Sequence, residues 1–574
     1  MKADSKLSPL LRFSLLSTFI AVCVVLRLGA GASKAPVRST HGMVVSTEVR
    51  ASRAGVEILK QGGNAVDAAV AVGFMLAVTH PSAGNLGGGG FMMIRMSKTG
   101  ETVAVDYREM APAGASRSMY LDKEGNTTPE ASTVGYRAIA VPGTVAGLSL
   151  ALEKYGTMRL PQVMAPSIEL ARAGLELSYF ESESLKSARK LLSRFPETMR
   201  LYLRDGNYYS EGETFVQPDL ARCLELIARN GPREFYEGSI AQLIVKDMQA
   251  NGGLITVDDL KAYRSTVRKP IEGTYRGYRI FSMPPPSSGG IALVEMLNIL
   301  EAYPLADYGQ GASRTLHLLA EAMKRAFADR AEYLGDPDFV RIPIAGLISK
   351  RYAAERRATI DPFLASDSSK LGYGKPGDYE SEQTTHFSIV DAAGNVVANT
   401  YTLNGGYGSG VTIPGTGILM NNEMDDFSSR PGAPNAYGLV HGEANSIAPR
   451  KRPLSAMAPT IVVKDDKPLL VLGSPGGPTI INTVLQTLIN TIDFQLTVQE
   501  AVDAPRIHHQ WMPDKLVIER IGFAQDVMDA LKARGHSLEL RRSIGDCHAI
   551  MIDSKTGVRL GAADPRMDGV AIGY

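Results

Sequence analysis

Two threonines, Thr384 and Thr402, stand at the open end of what reads as a β-hairpin. The segments 384–390 and 396–403 are rich in β-branched and aromatic residues, and Asp391-Ala392-Ala393-Gly394-Asn395 between them supplies a turn. With residues 390 and 396 paired across that turn, antiparallel register sets Thr384 opposite Thr402. The period of two along a strand then puts Asn404 on the side of Thr402, so one face collects two hydroxyls and an amide. Paired threonines also serve as plain sheet stabilisers. What raises Thr384 above that use is the segment before it. From about 366 to 383 the chain runs through Ser, Asp, Gly, Lys, Tyr and Pro with no apolar period, the pattern of an exposed linker. A cut between Gln383 and Thr384 would free the threonine's α-amino group. That amine can act as a general base for the neighbouring hydroxyl, which by itself is a poor nucleophile, and so direct it at an amide carbonyl.

Two other clusters invite chemical readings. Gly84-Asn85-Leu86-Gly87-Gly88-Gly89-Gly90 lacks the Gly-Lys-Ser/Thr ending of a phosphate loop and runs into strand-like Phe91-Met92-Met93-Ile94. Close backbone packing is its expected use, ahead of nucleotide binding. His508-His509 are chain neighbours without the carboxylate and histidine spacing of a metal site, and no metal or cofactor is expected from them.

The elements that must position these residues follow from periodicity. Helices are expected over 53–60 and 65–78, split by Gly62-Gly63-Asn64; the second carries Asp67 as its single charge and suits burial better than a membrane span. The region 142–364 reads as helical scaffold, with Leu316, Leu319, Ala320, Met323 and Phe327 on one face of a helix ending near Gly335. The loop Pro284-Pro285-Pro286-Ser287-Ser288-Gly289-Gly290 interrupts it and opens an apolar helix at Ile291. Strands at 460–463 and 469–472 and a helix from 480 to about 492 complete an α/β pattern of layered sheet and helix.

The balance of 61 basic against 60 acidic residues argues against nucleic acid or an anionic membrane as partner and favours a small molecule. Lys2, Lys6 and Arg12 precede an apolar run over 13–26 and small residues ending at Ala30-Gly31-Ala32. This is the pattern of a secretory signal over 1–32, with a retained anchor as the alternative because Arg27 crowds the run. Export to the periplasm or beyond is expected. Cys23 falls in that segment, which leaves Cys223 and Cys547 as either one bridge or two buried thiols.

Gln383-Thr384-Thr385-His386 followed by Tyr401-Thr402-Leu403-Asn404 resembles the start of the small subunit of γ-glutamyltranspeptidases. Further blocks are similar to family motifs in the family's order: Asn85 to Phe91, Arg108-Glu109-Met110-Ala111-Pro112, Asn421 to Phe427, Lys451-Arg452-Pro453-Leu454-Ser455 and Gly473-Ser474-Pro475-Gly476-Gly477. The resemblance implies a four-layer αββα sandwich of the N-terminal nucleophile hydrolase type. It implies a precursor that cuts itself before Thr384 into a large subunit over 33–383 and a small one over 384–574, which stay together. Glutathione and other γ-glutamyl compounds would be donors, and water, amino acids or peptides acceptors, with no cofactor. Arg108 is then expected to grip the substrate α-carboxylate with Ser455 as a further donor, while Asn404, Glu423 and Asp426 receive the α-ammonium on the opposite side. Gly476 and Gly477 would offer N–H groups to the oxyanion, and Tyr437 would belong to a lid.

One departure stands out. Ala456 follows Ser455 where many relatives have a second serine, which removes one donor for the carboxylate. Two rival readings are carried: a glutaryl-type cephalosporin acylase, and a secreted homologue that binds γ-glutamyl compounds without turning them over.

Overall fold

Alternation along the strands decides the architecture. Val44, Met92, Ile94, Val105, Ile389 and Val397 enter one apolar core, whereas their chain neighbours Met43, Val45, Phe91, Met93, Ala104, Val390, Val396 and Ala398 enter another. A sheet with both faces buried needs a layer on each side. The computed structural model describes residues 33–376 and 387–574, so the signal segment 1–32, the proposed cleavage bond and Thr384 lie outside the described residues. Pro36–Tyr574 forms one compact unit.

Two seven-stranded antiparallel sheets make its centre. One runs, in spatial order, Val570–Gly573, Met43–Ser46, Phe387–Val390, Val396–Thr402, Gly89–Arg95, Thr102–Tyr107, Thr266–Arg268. The other runs Val37–Ser39, Arg559–Ala563, His548–Ile552, Lys467–Gly473, Thr460–Lys464, Tyr278–Ser282, Ile271–Tyr275. They pack face to face; the buried Ser388 hydroxyl of the first lies 3.1 Å from the Val471 carbonyl oxygen and 3.2 Å from that of His548 in the second. Helices Val49–Lys60, Ala65–Thr79 and Thr144–Tyr155 cover the outer face of the first sheet, and Leu160–Ala173 packs against Ala65–Thr79. Gly289–Leu300 and Thr479–Ile492 cover the second, and Ser313–Tyr333 packs against Gly289–Leu300. The order is helix, sheet, sheet, helix, the αββα sandwich expected.

The hairpin has the expected register over its described part, Val390 with Val396 through Phe387 with Asn399. Ala65–Thr79 is buried along its whole length, as its composition required. Its N-terminus is closed by Asn64 and Asp67 in a capping box, and Asp391 of the hairpin turn accepts from the Ala65 amide at 2.9 Å.

Two expectations need correction. The region read as helical scaffold contributes the strands Thr266–Arg268, Ile271–Tyr275 and Tyr278–Ser282 to the central sheets. The last two are joined by Arg276 and Gly277, both at positive φ, a two-residue turn whose twist matches the strands. The linker is tied down in its described first part: the Ser368 amide donates to Asp514 at 2.9 Å, and the Trp511 indole donates to the carbonyls of Ser368 and Leu371. Of the two alternatives held for Cys223 and Cys547, the structure has the buried, free thiols. Among the described residues no helix is long and apolar enough to cross a membrane.

Candidate active site

The strand Val396–Thr402 ends where it meets the glycine run. A Cβ on Gly88 would lie 2.0 Å from the Thr402 carbonyl oxygen, so only glycine lets the two segments touch, and the Asn85 amide donates to that same oxygen at 2.8 Å. Thr402 is thereby set at the rim of a cavity of about 340 Å³. Lining it are Thr402, Asn404, Glu423, Asp426, Tyr437, Ser455, Gly476 and Gly477, which converge from segments spread over the C-terminal part of the chain.

Each arrives by a local device. Asn404 lies beyond the strand end in a left-handed conformation, φ 75°, with its amide donating to the Thr402 hydroxyl at 2.8 Å. The expected period-two relation of Asn404 to Thr402 therefore fails, because the strand stops at Thr402; the two still share the cavity. Thr400, two positions back on the strand, lines it as well. Glu423–Asp426 is a single 3₁₀ turn. Ser455 is held against the Pro-rich loop: its amide donates to Pro286 O at 2.7 Å, and its carbonyl accepts from the Ser288 amide and hydroxyl at 2.9 and 2.7 Å. Gly476 and Gly477, at φ 132° and 57°, lead into Thr479–Ile492. Neither of their amides has a hydrogen-bond partner among the described residues. Two free N–H groups before a helix N-terminus suit an anion. Tyr437 spans the cavity, its hydroxyl donating to Asn404 O at 2.8 Å.

The electrostatics differ from expectation. Arg108 is fully buried beneath Glu423 and Asp426 and bonded directly to both, rather than facing them across a ligand; its Nε donates to Pro453 O at 3.1 Å. The sequence order could not show this, since the guanidinium and the acids come from segments more than three hundred residues apart. Burial would lower the Arg108 pKa, but Glu423, Asp426 and Glu109 outweigh it and hold it raised. Burial pushes Glu423 well above the carboxylate range, aided by Glu109 and Asp426, and raises Asp426 as well. Glu109, 3.5 Å from the guanidinium, is pushed by burial up to about 7.

The cavity is also lined by His80, Asp546 and His548, none anticipated from the sequence. His548 Nε2 stands 3.3 Å from Asp546 Oδ2; burial would lower its pKa, but Asp546 prevails and raises it. Arg330, from the supposed scaffold, also lines the wall. No spacing rule would single out one arginine of an amphipathic helix. His508 and His509 are engaged by Asn482, Gln510 and Asp514. A separate cluster of His317, Glu321 and His536 comes within metal-binding span, but the Glu321 carboxylate is taken up by Arg325 and Ser366.

Among known proteins, the sequence model of the family described as Gamma-glutamyltranspeptidase matches residues 51–574. The chain belongs to the gamma-glutamyltranspeptidase family. It is 53% identical over 541 residues to the glutathione hydrolase proenzyme of Escherichia coli (strain K12), covering 94% of this chain and 93% of that one. Identity to the glutathione hydrolase proenzyme of Pseudomonas sp. (strain A14) is 46% over 571 residues, covering 98% and 99%. A solved cephalosporin acylase from Bacillus halodurans is similar with a TM-score of 0.84 at 27% identity, covering 100% and 99%. As a gamma-glutamyltranspeptidase family chain, it brings eight of the residues singled out in its sequence to one cavity and seals a ninth, Arg108, beneath two of them.

Proposed function

We propose that the protein is a γ-glutamyltransferase and glutathione hydrolase, made as a precursor that cuts itself before Thr384. The observation that carries this reading is the acidic pair Glu423 and Asp426 in a cavity that also holds Thr402, Ser455 and the free amides of Gly476 and Gly477. In the proposed reaction the Thr384 hydroxyl oxygen attacks the γ-carbonyl carbon while its proton passes to the freed α-amino group. The oxyanion is received by the N–H groups of Gly476 and Gly477. The α-ammonium returns the proton to the leaving amine, the C–N bond breaks, and an ester remains on Thr384. Water or an acceptor amine then attacks that ester, releasing glutamate or a new γ-glutamyl amide and restoring the threonine. Thr402 orients the nucleophile. Glu423, Asp426 and Asn404 receive the donor's α-ammonium, Ser455 its α-carboxylate, and Arg108 braces the two acids from beneath. Tyr437 acts as the lid residue. The N-terminal signal pattern supports export to the periplasm or medium, with cleavage near Ala32.

The likeness to a cephalosporin acylase favours one second reading, a glutaryl amide as substrate. A glutaryl group has no α-ammonium for the acidic pair to bind. The test is intact mass and N-terminal sequencing of the purified protein beside Thr384→Ala, followed by turnover of glutathione and of a glutaryl amide. Two chains, the smaller starting at Thr384 and missing from the variant, with faster turnover of glutathione, are expected. A single uncut chain in both, or preference for the glutaryl amide, would overturn the reading.

A further inference from the structure

Beside the catalytic cavity lies a second one of about 410 Å³, within the roughly 300–1,000 Å³ of small-molecule sites. Thr47, His80, Ser82 and Met567 line both, so the two meet at these four residues. The floor of the second is apolar. Leu175, Leu177, Leu185 and Phe215 are buried there, while Phe180 and Met567, 38% and 42% exposed, stand at the rim. One side belongs to the helix Tyr179–Leu192 and another to the segment 567–570; the Ser178 hydroxyl, at the start of the helix, donates to Asp568 at 2.8 Å and ties the two together.

Charge at this cavity has a sign. Glu48, Glu181 and Asp568 line it against Arg50, whose Nη1 is taken up by Glu48 at 3.1 Å and Glu181 at 3.2 Å and whose Nη2 donates to the Glu176 carbonyl. A carboxylate on a ligand meets repulsion here, whereas an apolar side chain gains by leaving water.

Asp546 stands where the two cavities meet. It lines the catalytic cavity, is 3% exposed, and its Oδ2 accepts from the hydroxyl of the shared Thr47 at 3.2 Å. Its Oδ1 has no hydrogen-bond partner among the described residues. A buried carboxylate oxygen without a donor is costly, and an amine supplies one. The Asp546 amide donates to the Ser474 hydroxyl at 2.9 Å, and a Cβ on Gly476 would lie 3.4 Å from the Gly545 Cα, so this carboxylate is built onto the same loop as the two free amides.

We propose that the second cavity is the acceptor's subsite: Asp546 Oδ1 accepts an N–H from the amine that attacks the γ-glutamyl ester, and the apolar floor takes the side chain on that amine's α-carbon. The acceptor class it selects is a residue with a bulky apolar side chain at the start of a peptide, its carboxyl carried in an amide, because Asp546 and Asp568 repel a free carboxylate. The proposal rests on the proposed γ-glutamyl transfer and gives it a second substrate.

A γ-glutamyl anilide as donor and three acceptors that share an α-amine and an amide test it: phenylalaninamide, glycinamide and the α-amide of glutamic acid. In the wild type the KM of phenylalaninamide is expected about 10-fold or more below that of glycinamide, the worth of burying one large apolar side chain, and the glutamic amide should be the poorest of the three. Ser184→Phe, which sets a ring into the cavity, and Phe180→Ala, which removes part of its wall, should each bring the KM of phenylalaninamide toward that of glycinamide. The two positions are only partly buried and serve as alternates should one variant fail to fold. Asp546→Asn should raise the KM of all three acceptors together, about 10- to 100-fold, the usual worth of a hydrogen bond to a charged group. Equal KM values for phenylalaninamide and glycinamide in the wild type, an unchanged preference in the cavity variants, or wild-type KM values in Asp546→Asn overturns the proposal and leaves the γ-glutamyl activity standing, as does a wild type that hydrolyses the donor and transfers to none of the three. A correctly cut wild type that neither hydrolyses nor transfers overturns both.

Discussion

Glu109 follows Arg108 in the chain, yet neither of its carboxylate oxygens receives a hydrogen bond, and Glu423 Oε2 is in the same position. The two side chains face one another beside the guanidinium, and burial raises both pKa values, Glu109 to about 7. A proton retained between two buried carboxyls relieves their repulsion. With its folded pKa raised above the ordinary 4.5, Glu109 gives up its proton first in the unfolded chain, so stability present below 4.5 is lost as pH rises through about 7. Urea unfolding between those pH values should therefore show the wild-type midpoint falling with pH, and Glu109→Gln should flatten that fall. An equally steep fall in the variant would remove Glu109 as its source. The sequence marked Arg108 and Glu109 as a motif. It could not show which carboxylates close on the guanidinium, because that depends on the 3₁₀ turn of the distant 423–426 segment.

At the scale of elements, the helix Ala65–Thr79 shows how one charge is made tolerable in an apolar run. Asp67 is fully buried and accepts from the amides of Asn64, Thr157 and Met158 at 2.7 to 2.9 Å and from the Thr157 hydroxyl at 2.6 Å. It thus closes its own helix and fastens the turn after Thr144–Tyr155. Asp67→Ala strips several charge-assisted bonds at once and should cost about 3 kcal/mol or more of stability, read as a lowered denaturation midpoint. The helix itself was legible from composition and its glycine-rich entry. The hairpin Ile271–Ser282 was not, because short strands flanked by helical periodicity declare themselves mainly through a two-residue turn.

Over the whole molecule, the strands Phe387–Val390 and Val396–Thr402 are inner strands, paired on their two sides with Met43–Ser46 and Gly89–Arg95. A cut before Thr384 would leave those pairings and both cores intact. The two pieces are therefore expected to co-elute in native size-exclusion chromatography and to separate only in denaturant; separation in plain buffer would contradict the shared sheet. What the sequence by itself determined is the hairpin register over its described part, the layered α/β class, the family and eight of the residues that line the cavity, because strand alternation, turn chemistry and ordered motifs are local in the chain. What only the tertiary structure decided is the charge arrangement: Arg108 sealed under its acids, Glu109 facing Glu423, and Arg330 reaching the wall from a helix of the other layer. Electrostatic contacts and burial are set by which segments meet across the sandwich, and no spacing along the chain encodes that meeting.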